Sequence, residues 1–229
     1  MATLTIVPAG ARRFPAALKS LPDCPEAVYI SGSWQWLDTK PCVAVAGSRQ
    51  PSSWGRDAAF TLGSRLAAAG WGVISGLALG VDTAAHQGVL AMGGLTGVTL
   101  PCGLNRLYPP ENGPLAQQIL DTGGFLLSEY PPDREPEPDF FRARDRLQSC
   151  LSAAVIVVET EVDGGTMHTA RFALEQRRPL LVLRPPSPQP CNEGNRLLAS
   201  WPQTQLADSV DSLLELLAAR QKHSTMRRL

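Results

Sequence analysis

The chain has 229 residues, 44% of them hydrophobic, and its 21 Lys and Arg are balanced by 21 Asp and Glu. That length suits one α/β domain with short appendages and can bury a core without disulfides or metals; the hydrophobic share excludes disorder as the default. A net charge of zero excludes the overall basic excess of a dedicated nucleic-acid binder, so any such role has to rest on a local cluster of arginines.

Residues 1–40 carry Pro8, Pro15, Pro22 and Pro25 with little periodicity. They read as an irregular arm packed on the domain, ending in a short strand at Ala27–Ile30. The alternating pattern then begins and defines a domain over 41–200. Cys42–Ala46 is a short apolar run stopped by Gly47, the mark of a buried strand. Trp54–Ala69 has helical spacing and closes at Gly70. Gly72–Ser75 is a second strand, and Asp82–Met92 a helix with Asp82 as its N-cap. Leu95–Leu100 is a strand, 101–112 a loop rich in Pro, Gly and Asn, and Pro114–Asp121 a helix. Phe125–Ser128 is a strand followed by a proline-rich extended loop. Phe140–Leu151 is a helix and Ala154–Val158 the most clearly buried strand. Thr166–Gln176 is a helix and Leu180–Leu183 the last strand. Residues 201–229 contribute a terminal amphipathic helix over Val210–Arg220 and a frayed tail.

Strands alternating with helices at this spacing predict βαβ units, a mainly parallel sheet and helices on both faces: a Rossmann-like three-layer sandwich. The ligand site of such a sheet lies outside the carboxyl ends of its strands. Four loops leave that edge. They are Gly47-Ser48-Arg49; Ser75-Gly76 through Asp82, leading to His86; Pro101 through Arg106 to Tyr108-Pro109; and Glu159 through Gly164-Gly165-Thr166. Glycines admit an anion close to the backbone, and the following helix offers free N–H groups and a positive dipole end. Arg49 and Arg106 supply charge. Each loop alone is more often only a tight turn; four on one edge point to phosphate binding. The G-x-G-x-x-G and G-x-x-x-x-G-K-[ST] fingerprints are both missing, so ordinary NAD binding and a P-loop are not supported.

Asp82 and His86, four apart, share a helical face. They read either as an acid/base pair aimed into the site or, slightly favoured, as a cap and a satisfied interior imidazole. His168, in the first turn of its helix, reaches the same edge. Arg142, Arg144 and Arg146 form the strongest local positive cluster. They read as a solvated surface face or as contacts along a nucleic-acid backbone, with Glu129 and Glu159 placed to hold them. Trp34, Trp36, Trp54 and Phe140-Phe141 read mostly as core, with base stacking as the other use. No catalytic nucleophile pattern is present. The five scattered cysteines, with no CxxC pair, read as reduced thiols of a cytoplasmic protein without a zinc site. No signal peptide, membrane span, metal or cofactor is expected.

Taken together and in order, these segments resemble the DNA-processing protein A family, also called DprA or Smf. The matching stretches are Val45–Arg49, Ser75–Asp82 with Ala85-His86, Leu104–Pro109 with Asn112, Leu127–Glu129, Phe141–Ser152, Val158-Glu159, Gly165-Thr166 with Thr169-Ala170, and Gly194-Asn195. The resemblance implies an extended Rossmann fold that binds single-stranded DNA as a homodimer and assists loading of a RecA-type recombinase during natural transformation, without a catalytic reaction. Carried over, Gly47, Ser48, Arg49, Gly76, Gly165, Thr166 and the Arg142–Arg146 segment form the DNA-contacting pocket. Four stretches depart from the family pattern: Leu79 stands for Arg, Asp145 for Asn between Arg144 and Arg146, Gly164-Gly165-Thr166 for Ser-Gly-Ser, and Pro185-Pro186 for Pro-Gly. With no room for a winged helix or an N-terminal helical domain, the chain reads as a minimal or divergent member. The alternative is a nucleotide-binding sensor or phosphoribohydrolase-like enzyme of the same superfamily.

Overall fold

The structure, a computed structural model, describes residues 3–226. In chain order the strands and longer helices are β1 (Leu4–Pro8), β2 (Ala27–Gly32), β3 (Cys42–Ala46), α1 (Ser53–Ala68), β4 (Gly72–Ser75), α2 (Val81–Ala91), β5 (Thr96–Thr99), α3 (Gly113–Asp121), β6 (Phe125–Ser128), α4 (Pro138–Cys150), β7 (Ala154–Val157), α5 (Thr166–Glu175), β8 (Leu180–Leu183), α6 (Glu193–Ala199), β9 (Thr204–Ala207) and α7 (Val210–Met226). Among the described residues the strands form one sheet in the order β1-β2-β6-β5-β4-β3-β7-β8-β9. It is parallel from β6 to β9 and antiparallel where β2 meets β1 and β6.

The central strands are apolar on both sides because both faces are covered. Val43, Val45, Ile156 and Leu181 point to one face, under α1, α2 and α7, and Val98 and Leu126 pack on α3 there. The alternate residues Ala44, Val155, Val157 and Leu180 point to the other face, under α5 and α6. Ile74, Phe125 and Leu127 meet Leu147 and Cys150 of α4 on that side. The period of two along each strand thus builds the three-layer sandwich.

The first forty residues are more ordered than their prolines suggest. β1 and β2 pair antiparallel and extend the sheet beyond β6. β1 is an edge strand with Ile6 56% exposed, and such a strand carries only a weak alternating signal. β8 is not the last strand: α6 and β9 follow it. Thr204-Gln205-Leu206-Ala207 is short, polar and half-exposed, which hides it from an apolar-run criterion. α4 begins at Pro138, a residue suited to the first helical turn. α7 continues through Met226 instead of fraying after Arg220; the last three residues of the expected tail lie outside the described residues. The five cysteines are free thiols. Among the described residues no helix is long and apolar enough to cross a membrane.

Candidate functional site

The strand order fixes where a ligand can enter. β4, β5 and β6 stack to one side of β3, while β7, β8 and β9 stack to the other. The connections leaving β3 and β7 therefore diverge and open a crevice at their carboxyl ends. A cleft of about 750 Å³ lies there. Its walls are the Gly47–Gln50 loop after β3, the N-terminal half of α4, the loop after β7 and the first turn of α5.

The wall of α5 is the most open. Met167 and His168 donate their amides to the Gly164 and Gly165 carbonyls. The amides of Gly165 and Thr166 have no protein acceptor among the described residues. A Cβ at position 165 would meet nothing within 4 Å. Helix polarity places positive potential at this end, and free amides beside it are the usual anion donors.

The opposite wall is built by interlocking two loops. Ser48 donates its amide to the Glu159 carbonyl at 2.6 Å and accepts from the Val81 amide at 3.1 Å. A Cβ on Gly47 would run into the Val81 side chain, and one on Gly80, whose φ is +86°, into the Ser48 and Arg49 carbonyls. Gly47 thus lets the two loops pack closely. Arg49 is exposed and lies over the Phe141 ring at 5.1 Å, and Tyr108 meets the same ring edge-on at 5.4 Å. Behind Arg49 a smaller hollow of about 110 Å³ is walled by Gly76, Leu79, Tyr108 and Phe141. Leu79, at its rim, is 43% exposed.

The floor is charged and buried. Arg144 is only 6% exposed. Its Nη1 donates to the Gly76 and Thr99 carbonyls at 2.7 and 3.0 Å, and its Nε to Asp145 at 3.0 Å. Asp82 accepts the Gly76 and Ala78 amides at 3.1 and 3.2 Å. Contrary to the expectation, it is not the N-cap of α2: Gly80 holds that position, and the carboxylate ties down the preceding loop. Burial raises the Asp82 carboxyl above its ordinary range despite Arg144. Burial likewise pushes Asp145 up to about 6, with Arg144 pulling the other way.

Gly47, Ser48, Arg49, Asp82, Arg142, Arg144, Gly164, Gly165 and Thr166 therefore line one cleft, with His168 among them, and Gly76 lines the adjoining hollow. The other expected site residues fall elsewhere. Ser75 is buried and donates to the Val45 carbonyl at 2.7 Å. His86 is buried under the sheet beside Thr96 at 2.7 Å, so the Asp82/His86 acid/base pair is not formed. Arg106 pairs with Glu135 at 3.3 Å and is not part of the cleft wall. Arg146 points to the far side of α4. It donates to Glu129 at 2.7 Å and Asp23 at 2.6 Å; its spacing from Arg142 gave no sign of partners on other elements. Glu129 thus holds an arginine as expected. Glu159 does not: it accepts from the Ser52 amide and hydroxyl at 2.6 and 3.0 Å and seats the start of α1. Gln148 and Thr160 also line the cleft. Thr160 follows a strand end, a position the sequence marks; Gln148 depends on the rotation of α4, which the sequence does not mark.

The family model for DNA recombination-mediator protein A matches residues 5–218. The chain belongs to that family. Among its relatives, Protein Smf of Escherichia coli is 37% identical over 193 residues, 82% of this chain and 50% of that one. DNA processing protein DprA of Bacillus subtilis is 32% identical over 180 residues, 79% of this chain and 60% of that one. The chain spans about half the length of the curated relatives it matches. A solved structure describing the single-stranded DNA binding mode of DNA processing protein A from Helicobacter pylori superposes with a TM-score of 0.85 at 31% identity, covering 96% of this chain and 99% of that one.

Proposed function

We propose that this recombination-mediator domain binds single-stranded DNA, holding a backbone phosphate in the cleft between the β3 and β7 loops. The observation that carries the proposal is the pairing of the Gly165 and Thr166 amides at the start of α5 with the solvent-facing Arg49 and Arg142 across one cleft. Backbone amides position a phosphate, and arginines add the charge that makes affinity depend on salt. The relationship to the Helicobacter pylori protein supports the choice of single-stranded DNA. In this reading the protein is cytoplasmic, acts as a homodimer, needs no cofactor and performs no reaction of its own. It delivers bound strands to a RecA-type recombinase during DNA uptake.

Fluorescence anisotropy of a labelled oligothymidylate at low and high salt tests the proposal. Binding at low salt that weakens steeply at high salt is expected, with Arg49→Ala lowering the salt slope by about one. No binding at low salt, or a mononucleotide that competes as well as an oligonucleotide, overturns it.

A further inference from the structure

The floor of the cleft sets two carboxylates against one guanidinium. Asp82 and Asp145 are both buried, and both are drawn to the same Arg144. Apart from Asp145, the Arg144 guanidinium donates to the Gly76 and Thr99 carbonyls, which carry no charge. One positive charge therefore faces two negative ones, all three side chains largely buried at the cleft floor. Like charges so placed disfavour joint ionisation.

The groups around Asp145 do not relieve this. On α4 stand Arg144, already shared, and the exposed Arg142. From α2 comes Asp82, a second negative charge. From α5 come Thr169, whose hydroxyl eases the carboxyl's pKa downward, and His168, both on the same cleft lining. Burial, then Arg142 and Arg171, hold the His168 imidazole below its ordinary value, so it stays neutral near pH 7. Across the mouth lie Arg49 on the β3 loop, exposed to solvent, and Glu161 on the β7 loop, which is negative. Thr169 belongs to the opening turns of α5, the same end whose amides are open to an anion. A phosphate seated there adds a further negative charge beside Asp145. A proton on that carboxyl relieves the repulsion without moving the backbone.

We propose that the cleft takes up one proton at Asp145 when it takes up a phosphodiester, so that Asp145 sets the affinity for nucleic acid and ties it to pH. The inference rests on the phosphate-binding reading above. Burial already holds the free carboxyl at about 6, so the proton is available in mildly acidic solution. Coupling between two binding events is reciprocal: if the phosphate favours the proton, the proton favours the phosphate.

The test is anisotropy of a labelled oligothymidylate at about pH 5.5 and about pH 7.5 with the wild-type chain, Asp145→Asn and His168→Gln. The wild-type affinity is expected to fall on the order of tenfold across that interval, following the loss of one proton. Asp145→Asn, which keeps the shape and removes the charge, is expected to bind at the higher pH about as tightly as the wild type at the lower one, with its pH slope flattened. His168→Gln is expected to keep the slope. A wild-type affinity without pH dependence, a slope that survives Asp145→Asn, or one that vanishes in His168→Gln instead overturns the inference while leaving phosphate binding intact. Failure of every form to bind at either pH overturns the phosphate-binding reading itself.

Discussion

Arg144 occupies the space that a side chain on Gly76 would need, and donates to the Gly76 carbonyl at 2.7 Å. The arginine in the middle of the α4 cluster is therefore a brace. It joins the ends of β4 and β5 to α4 and fixes the floor on which the exposed cations Arg49 and Arg142 stand.

That contact makes position 76 intolerant of a methyl group. Gly76→Ala forces the guanidinium or the loop aside, and overpacking of this kind costs about 1–3 kcal/mol. Urea denaturation is expected to show a lowered midpoint with the slope unchanged. A variant as stable as the wild type contradicts the brace.

Arg146 and Arg142 are one helical turn apart but are expected to separate by phenotype. Arg146 is bonded to Glu129 and Asp23, and its removal leaves Glu129, itself largely buried, without its charged donor. Arg146→Ala is expected to lose about 1–3 kcal/mol of stability with little change in oligonucleotide affinity for the folded fraction. Arg142→Ala, exposed at the cleft, is expected to weaken binding and change stability by no more than about 0.5 kcal/mol. The reverse pattern contradicts the placement of the two side chains.

His86 gives the fold a defined sensitivity to acid. Thr96 Oγ1 spends its proton on the Val73 carbonyl at 2.8 Å. His86 Nδ1 must therefore be the donor to Thr96, a tautomer assigned from the hydrogen-bond network, and buried Nε2 has no hydrogen-bond partner among the described residues. Burial pushes the imidazole down to about 3 from its ordinary value of 6.5. Between those values the unfolded chain binds a proton that the folded chain refuses. The His86 contribution is thus fully present above pH 6.5 and is lost as pH falls, by about 1.4 kcal/mol per unit. His86→Gln is expected to flatten this part of the stability–pH curve, read by denaturant midpoints at a series of pH values. An unchanged curve contradicts the assignment.

Much of this molecule is legible in the sequence because its central strands are buried on both faces. Cys42–Ala46 and Ala154–Val157 are nearly unbroken apolar runs, and those runs locate the cleft at their ends. The edges are harder to read. β1 and β9 bury only part of their surface, so their residues are mixed and local pattern is weak. Within the site, the loop glycines signal a carboxyl edge but not what each glycine touches. Gly47 abuts Val81 and Gly76 abuts Arg144, contacts made between segments distant in sequence, whereas Gly165 is open. The same holds for charge: Arg142, Arg144 and Arg146 look alike in sequence, and only the partners from other elements divide them into a cleft cation, a brace and a largely buried ion pair.

Amide chemical-shift mapping tests most directly whether the phosphate sits between the β3 and β7 loops. An oligothymidylate is titrated into the isotope-labelled chain, and the backbone resonances are followed residue by residue. The expected result is that Ser48, Gly165 and Thr166 shift first and furthest, and that Arg49→Ala with Arg142→Ala abolishes those shifts. Shifts concentrated on Arg106, Arg146 or α7, with Gly165 and Thr166 unmoved, would contradict a phosphate site at the start of α5.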